Sequence, residues 1–314
     1  MGAYLVRRFG LMVLTLFGIS IIIFMLLRLT PGNIADILFD AGGFVDPADK
    51  ARIEADLGLD RPIPVQYAKW IGGLLQGDLG ISYQTERPAL QEIAPRIPIT
   101  ARLAALALAF AVLLGVPFGV ISAVKQDTKL DYVLRVISLT GLSMPAFWLG
   151  LLILMGFVAY FGTIPIYSDA PTGFWNALLM YSVPAAAVGF RSSALMMRLT
   201  RSSMLEVLRQ DYIRTARSKG ASEVVINYYH ALKNAMLPVI TLVGTEFAFL
   251  IGGLVVTETV FTLNGVGRFV VDAVAHRDYP VVQALVFLIA LCFVIVNLLI
   301  DLTYAWLDPR IRYH

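Results

Sequence analysis

The chain of 314 residues is 58% hydrophobic and only 15% charged, with a mean hydropathy of +0.74. A soluble domain carries about 25% charge, so this composition excludes a soluble globular protein and describes a chain that buries apolar surface in lipid. The net charge of +3 is small, and no basic, aromatic-rich solvent face occurs outside one loop, which argues against nucleic-acid binding. The single cysteine, Cys292, lies in an apolar run and reads as an inert thiol. His230, His276 and His314 are far apart, with no metal-ligand spacing.

A bilayer-crossing helix needs about 20 largely apolar residues. Residues 9–27 form the first such run, preceded by Arg7 and Arg8. No small-residue cleavage site follows, so the run is expected to stay as a first span. Residues 31–100 are polar by comparison. Asp46 and Pro47 signal a helix start and Gly58 a stop. Pro62 and Pro64 open a second short helix that ends in the turn Gly77-Asp78-Leu79-Gly80. This segment predicts a small helical layer, used either for packing or for docking an external partner. Further spans are expected at 103–124, at 136–160 with Pro145 as a kink, and at 175–197, 237–257 and 281–300. Asn264-Gly265-Val266-Gly267 follows no strand, which argues against a nucleotide loop; it predicts a tight turn into a short outer helix over 268–275. Tyr279 then suits the interface at the start of the last span.

Six spans put both termini on one side. Residues 31–100 hold 10 acidic against 6 basic residues, while short segments on the opposite side carry Arg7, Arg8, Lys125, Lys129, Arg135, Arg198 and Arg201. The positive-inside rule then places both termini in the cytoplasm. The expected fold is an all-α membrane protein with six transmembrane helices. It forms a single transmembrane domain over 1–314, with an extracytoplasmic helical segment at 31–100 and a cytoplasmic hairpin at 198–237, between spans four and five.

That hairpin is basic and amphipathic. A helix over 203–219 would align Leu205, Leu208, Tyr212 and Ala216, with Gln210, Arg214, Arg217 and Ser218 opposite. Gly220 supplies a stop. Ser222 can cap a second helix, with Glu223 in its first turn. There Val225, Tyr228, Tyr229, Leu232 and Met236 would share an apolar face. A solvated loop accounts for the charge but not for the paired faces. A helix lying on anionic lipid does not account for a glycine-broken hairpin that returns into a span. A hairpin that enters a partner's groove accounts for both.

The runs D-Y-I-R-T-A-R-S-K-G (211–220) and H-A-L-K-N-A-M-L-P (230–238) resemble the cytoplasmic coupling loop of ABC-importer permeases, most closely the dipeptide/oligopeptide/nickel branch. The resemblance covers nearly the whole chain. It includes Arg7-Arg8, L-T-P-G (29–32), L-G-L-D-R-P (57–62), G-D-L-G-I-S (77–82), T-E-T-V-F (257–261), N-G-V-G-R (264–268), R-D-Y-P-V-V-Q (277–283) and D-P-R-I-R-Y (308–313). Departures occur. The general loop reads E-A-A, three residues, then G, whereas Arg214, Thr215 and Ala216 precede Gly220 here. The general proline falls at Lys233, with Pro238 five residues later. Asn33 stands where the branch often has an acidic residue.

The resemblance implies a permease subunit of the bacterial cytoplasmic (inner) membrane that moves di- or oligopeptides. Nickel chelates, glutathione or another small solute are the alternatives. Its implied partners are a second homologous permease chain in a heterodimer, two cytoplasmic ABC ATPases that bind ATP and Mg, an extracytoplasmic solute-binding protein and membrane lipid, with no nucleic acid. No cofactor or metal is expected in this chain, and no catalytic residue, because G-x-x-x-x-G-K-[ST] is absent. The resemblance assigns the ATPase contact to the stretch opening at Asp211. Tyr212, Ile213, Thr215, Ala216, Gly220 and Ala221 allow close approach, and Arg214, Arg217 and Lys219 supply charge.

Two ionisable residues sit inside spans, Arg191 and Glu246. Such groups cost at least about 2.5 kcal/mol on insertion scales and usually face a bundle interior or a wet cavity. They are candidates to line the pathway; otherwise Arg191 snorkels and Glu246 takes a structural hydrogen bond. Glu258 and Arg268 are candidates for an outer gate by position. A stand-alone secondary transporter or channel is the competing class, but no inverted repeat is visible. A membrane-embedded enzyme would need a set of catalytic groups that the chain does not show.

Overall fold

The computed structural model describes residues 2–29, 54–55, 58, 60–162 and 174–307. Expectations at Asp46, Pro47 and Asn33, and in the D-P-R-I-R-Y run, lie outside the described residues. The chain divides into two compact units, Met1–Ile97 with Arg268–Leu298, and Pro98–Gly267 with Leu299–His314. The described residues are almost entirely helical, with one isolated bridge between Ile81 and Pro88.

The first unit begins with α1 (Gly2–Leu29), whose apolar side chains largely point outward. Its C-terminal end packs against α2 (Ile63–Leu75). Phe24, 1% exposed, lies edge-on to Tyr67 and stacks on Trp70. Ser20 and Tyr67 share a 2.7 Å hydrogen bond, and Arg28 Nε donates to Gln66 at 2.9 Å. As expected, Pro62 precedes α2 and Pro64 lies in its first turn. Gly77 and Gly80 take φ of +82° and +88°, and Gly58 takes +67°, the left-handed values that favour glycine at helix ends and turns. The short α3 (Ala89–Ile93) follows a tight turn closed by Ser82 N–H to the carbonyl of Arg87 at 2.9 Å.

The second unit is built on α4 (Ile97–Val124), α5 (Lys129–Ser143), α6 (Ala146–Phe161) and α7 (Phe174–Leu208). Its core gathers Leu103, Ala107, Tyr181, Ala185, Leu254 and Phe261. Glycines bring α4 and α7 into backbone contact. A Cβ on Gly115 would lie 2.6 Å from the Ser193 carbonyl, and one on Gly119 2.6 Å from Thr200 Cβ. Small residues are the usual device for close helix pairs in membranes, where lipid removes the hydrophobic drive between them.

Sequence reading expected one kinked span over 136–160. The chain instead breaks there into two helices at 102°. Met144 is extended (φ −87°, ψ 126°) because the ring of Pro145 excludes the α region for the residue before it. The helix over the stretch expected to be span four is longer than expected, because α7 runs unbroken for 35 residues. The helix that returns from the loop, α9 (Leu232–Gly253), ends at Leu254, and α10 (Val255–Val260) follows. The turn before α11 (Val266–Ala275) and the helix itself occur as expected, and α12 (Tyr279–Leu307) closes the described chain. By length and apolar composition four helices can cross a membrane among the described residues, or five if α5 and α6 form one span.

Candidate coupling surface and buried polar sites

The hairpin departs from its expected form in two ways. The helix anticipated over 203–219 is split. Arg209 and Gln210 close α7 with short-range bonds to Glu206 and Val207. Gln210 is extended (ψ 151°), and α8 (Asp211–Ser218) starts afresh with Asp211 in its first turn, where a carboxylate favours the helix dipole. The return helix is also not regular. Val225–Ala231 is a π-helical segment that runs directly into α9. Its wider turn rotates the faces, so Ile226, Ala231 and Ala235 point inward while Val225, Tyr228 and Tyr229 are exposed. The apolar face expected from a 100° period is therefore displaced.

Gly220 takes φ +80°. The Ala221 N–H reaches the Ala216 carbonyl at 3.2 Å, closing α8 as a glycine-terminated helix. Ile213 turns inward and is fully buried with Ile226, Ala231 and Ala235 against Val120 and Ala123 of α4 and Met204 of α7. Ala216 and Ala221 pack partly against this cluster. Asp211, Tyr212, Arg214, Thr215, Arg217, Lys219 and Gly220 remain exposed. Tyr212 hydroxyl accepts from Asn234 Nδ2 at 2.7 Å, and Arg214 pairs with Asp211 at 2.7 Å. Arg217 grips Glu223 through two bonds at 2.9 and 3.3 Å. The hydrogen bond from Arg217 holds the Glu223 carboxyl below its usual range. The loop is thus an apolar wedge seated on α4 and α7, with an outer surface that is polar along α8 and carries the exposed Val225, Tyr228 and Tyr229 on the return helix.

Beside the wedge lies a buried ion pair that sequence reading missed. Asp131, fully buried, accepts from Arg201 Nε and Nη2 at 2.9 and 2.8 Å, from the Asp127 N–H at 3.1 Å and from Ser122 Oγ. Arg135 lies 3.9 Å away. This ties the end of α4, the start of α5 and α7 together. Local sequence signals Asp131 only as a first-turn acid behind the Thr128 cap; its partner lies 70 residues on.

The intramembrane candidates are separate. Glu246 is buried and accepts from Ser192 Oγ at 2.7 Å. Arg191 lies 5.9 Å over the Phe249 ring, and no ion pair joins it to Glu246 among the described residues. Of the outer-gate candidates, Glu258 is fully buried and accepts from Thr100 Oγ1 at 2.6 Å, while Thr100 Oγ1 accepts from the Val266 N–H at 2.8 Å. A Cβ on Gly265 would lie 2.2 Å from Glu258 Oε1, so the glycine is required by close approach. Arg268, in the other unit, lies 3.9 Å from Asp272. In that unit Asp278 accepts from Ser82 Oγ and from the Tyr83 N–H at 3.2 Å. Two motif blocks nearly 200 residues apart thereby meet. Burial pushes the Tyr83 phenol up to about 12.

Comparison with known proteins shows the family. Residues 115–313 match the family described as binding-protein-dependent transport system inner membrane component, and residues 1–104 match its N-terminal membrane component. A dipeptide transport system permease protein of Alkalihalophilus pseudofirmus is 40% identical over all of both chains. The dipeptide transport system permease protein of Escherichia coli K12 is 39% identical over 99% of this chain and 98% of its own. The glutathione transport system permease protein of Pectobacterium atrosepticum is 41% identical over 99% of each. In fold, the inward-facing MetNI methionine ABC transporter is similar, with a TM-score of 0.57 at 17% identity over 70% of this chain and 97% of that one. The chain belongs to the inner-membrane components of binding-protein-dependent transport systems, the permease subunits of ABC importers.

Proposed function

We propose that this chain forms half of the pathway of an ATP-driven importer for short peptides. Its partners on this reading are a second homologous permease, two cytoplasmic ATPases that bind ATP and Mg, and an extracytoplasmic solute-binding protein. The names of its relatives support a peptide cargo. The count of spans reaches six if α5 with α6 makes one and the 35-residue α7 another, added to the four apolar helices; both termini then lie in the cytoplasm. The single observation that carries the reading is the hairpin. Its interior is anchored by Ile213, while Tyr212, Arg214, Thr215, Arg217 and Lys219 face outward as a ready docking surface. Glu246 and Arg191 belong to the pathway region in this reading. Full burial makes Glu258 a brace of the outer gate, with Arg268 nearby in sequence.

The test is co-purification of the permease with its ATPase. Arg214→Glu with Lys219→Glu should strip the ATPase from the complex and abolish ATP-driven uptake while the permease still inserts. Retention of ATPase at parental stoichiometry would rule out the hairpin as the docking surface.

A further inference from the structure

α7 carries an arginine stripe that the span assignment does not require. Arg191, Leu195, Arg198, Ser202 and Leu205 recur every three or four residues, so helical steps keep them within about 40° of one line, and Arg209 follows in the turn that closes α7. The other sides of α7 are occupied. Gly115 and Gly119 of α4 press on Ser193, Met196 and Thr200, Gly141 of α5 on Ala194, and Ser192 binds Glu246 of α9. The stripe instead borders a cavity of about 1060 Å³ between α5, α7 and Leu242 of α9. Its walls hold Arg135, Arg198, Arg201 and Arg209 against a single carboxylate, Glu206.

Charge on that wall is unbalanced. Arg201 is neutralised by Asp131, and Arg135 lies 3.9 Å from the same carboxylate. Among the described residues, Arg198 and Arg209 have no carboxylate within ion-pair distance, and neither does Arg191. Cations on a membrane helix face water or a counter-charge, and apolar walls such as Leu139, Leu195 and Leu199 focus their potential into the space between. The volume suits a small solute. A lipid phosphate is the poorer occupant. Within the cavity Arg198 and Arg209 are 11 residues apart, about 16 Å at a helical rise, more than one phosphate can bridge.

We propose that this cavity is a transit site for a carboxylate of the transported solute, with Arg198 and Arg209 as its donors and Arg191 as the next step along the stripe. The proposal rests on the importer reading and adds to it the chemical group recognised at the inner end of the pathway. Ser202 provides the probe, because it lies on the stripe and lines the cavity. In the assembled complex, with Cys292→Ser and Ser202→Cys, one measures the rates at which a sulfonate-bearing and a trimethylammonium-bearing thiosulfonate modify the thiol. The measurement uses inside-out vesicles of phosphatidylcholine alone.

The anionic reagent should be favoured by about tenfold over its ratio at a free thiol, an effect of one strong local charge. Arg198→Gln with Arg209→Gln should bring that preference to about one, and Arg198→Lys with Arg209→Lys should keep it. If the double glutamine variant does not assemble, Arg209→Gln alone should lose about a third to a half of the logarithmic preference. Dialanine should slow modification by the anionic reagent, and dialanine amide should not. A preference unchanged by loss of the arginines, or equal protection by acid and amide, overturns the proposal. A preference that added anionic lipid abolishes while dialanine gives no protection also overturns it, in favour of a lipid site. Absence of ATP-driven peptide uptake by the parent complex counts against the importer reading alone, since the reagent preference is read without transport.

Discussion

Breaking the Asp131–Arg201 pair from its two sides should not cost the same. Asp131 is fully buried, while the Arg201 side chain is 20% exposed. Removing one member of a buried pair costs about 3–5 kcal/mol, mainly because the survivor is left uncompensated. Arg201→Gln strands a carboxylate that cannot reach solvent and keeps Ser122, the Asp127 N–H and the more distant Arg135 at 3.9 Å; about 4 kcal/mol is expected. Asp131→Asn strands a long cation that already touches solvent and can swing outward; about 2–3 kcal/mol is expected, below the usual range. The double change Asp131→Leu with Arg201→Met should recover most of the loss, since apolar replacement of a buried pair is often neutral. Thermal unfolding of the four proteins in one detergent gives the ranking. The reasoning fails if Asp131→Asn melts lower than Arg201→Gln, or if the apolar double variant is worse than either single change.

Gly220 has open space around the position of a Cβ, so Gly220→Ala carries only the backbone cost of a left-handed residue, about 1–2 kcal/mol, and Gly220→Asn less. Hydrogen exchange across 211–221 reads the difference, and an Asn variant less protected than the Ala variant contradicts it. Gly265→Ala drives a methyl group into the buried Glu258 carboxylate, with an expected loss of about 2–3 kcal/mol. Unchanged melting would mean that the turn yields freely. Tyr83 is raised from 10.0 to about 12 by burial. Its folded pKa lies above the unfolded one, so the stability it contributes is full below pH 10 and lost as pH rises toward 12. Tyr83→Phe should flatten the fall in melting temperature between those values; an identical fall in both proteins refutes the linkage.

The four apolar helices able to cross a membrane were legible because long apolar runs have few alternatives in a chain of this composition. Pro145 was legible as a breaker, but the 102° turn was not, since proline sets the local backbone and packing sets the angle. The hairpin shows the limit most clearly. Gly220 and the loop's existence follow from local chemistry, whereas the face carrying Tyr228 and Tyr229 was misassigned because a π-helical segment changes the period within the window being counted. The polar sites were half legible. Glu258 and Gly265 sit in neighbouring motif blocks and meet in the turn between them, but Thr100 completes that site from 158 residues away. Ser82 with Asp278, and Asp131 with Arg201, are likewise pairings that only the fold supplies. The arginine stripe was present in the sequence from the start. Arg198 was counted there as inner-side charge, and only the occupied flanks of α7 give that charge a direction.

These sites bear on how a push on the hairpin would travel. Ile213 and Ile226 sit on Val120 and Ala123 of α4 and on Met204 of α7. Within a turn or so of those contacts, Asp131 binds Ser122 of α4 and Arg201 of α7. Deeper in, Gly115 and Gly119 hold the two helices at backbone contact. Packed interfaces of this kind shift between discrete arrangements rather than deforming gradually. A load on α8 therefore acts on α4 and α7 as one body, and α7 cannot turn without turning its arginines. The hairpin packs on the end of α7 and the stripe runs along its side, so any motion of α7 at its hairpin end moves its arginines with it.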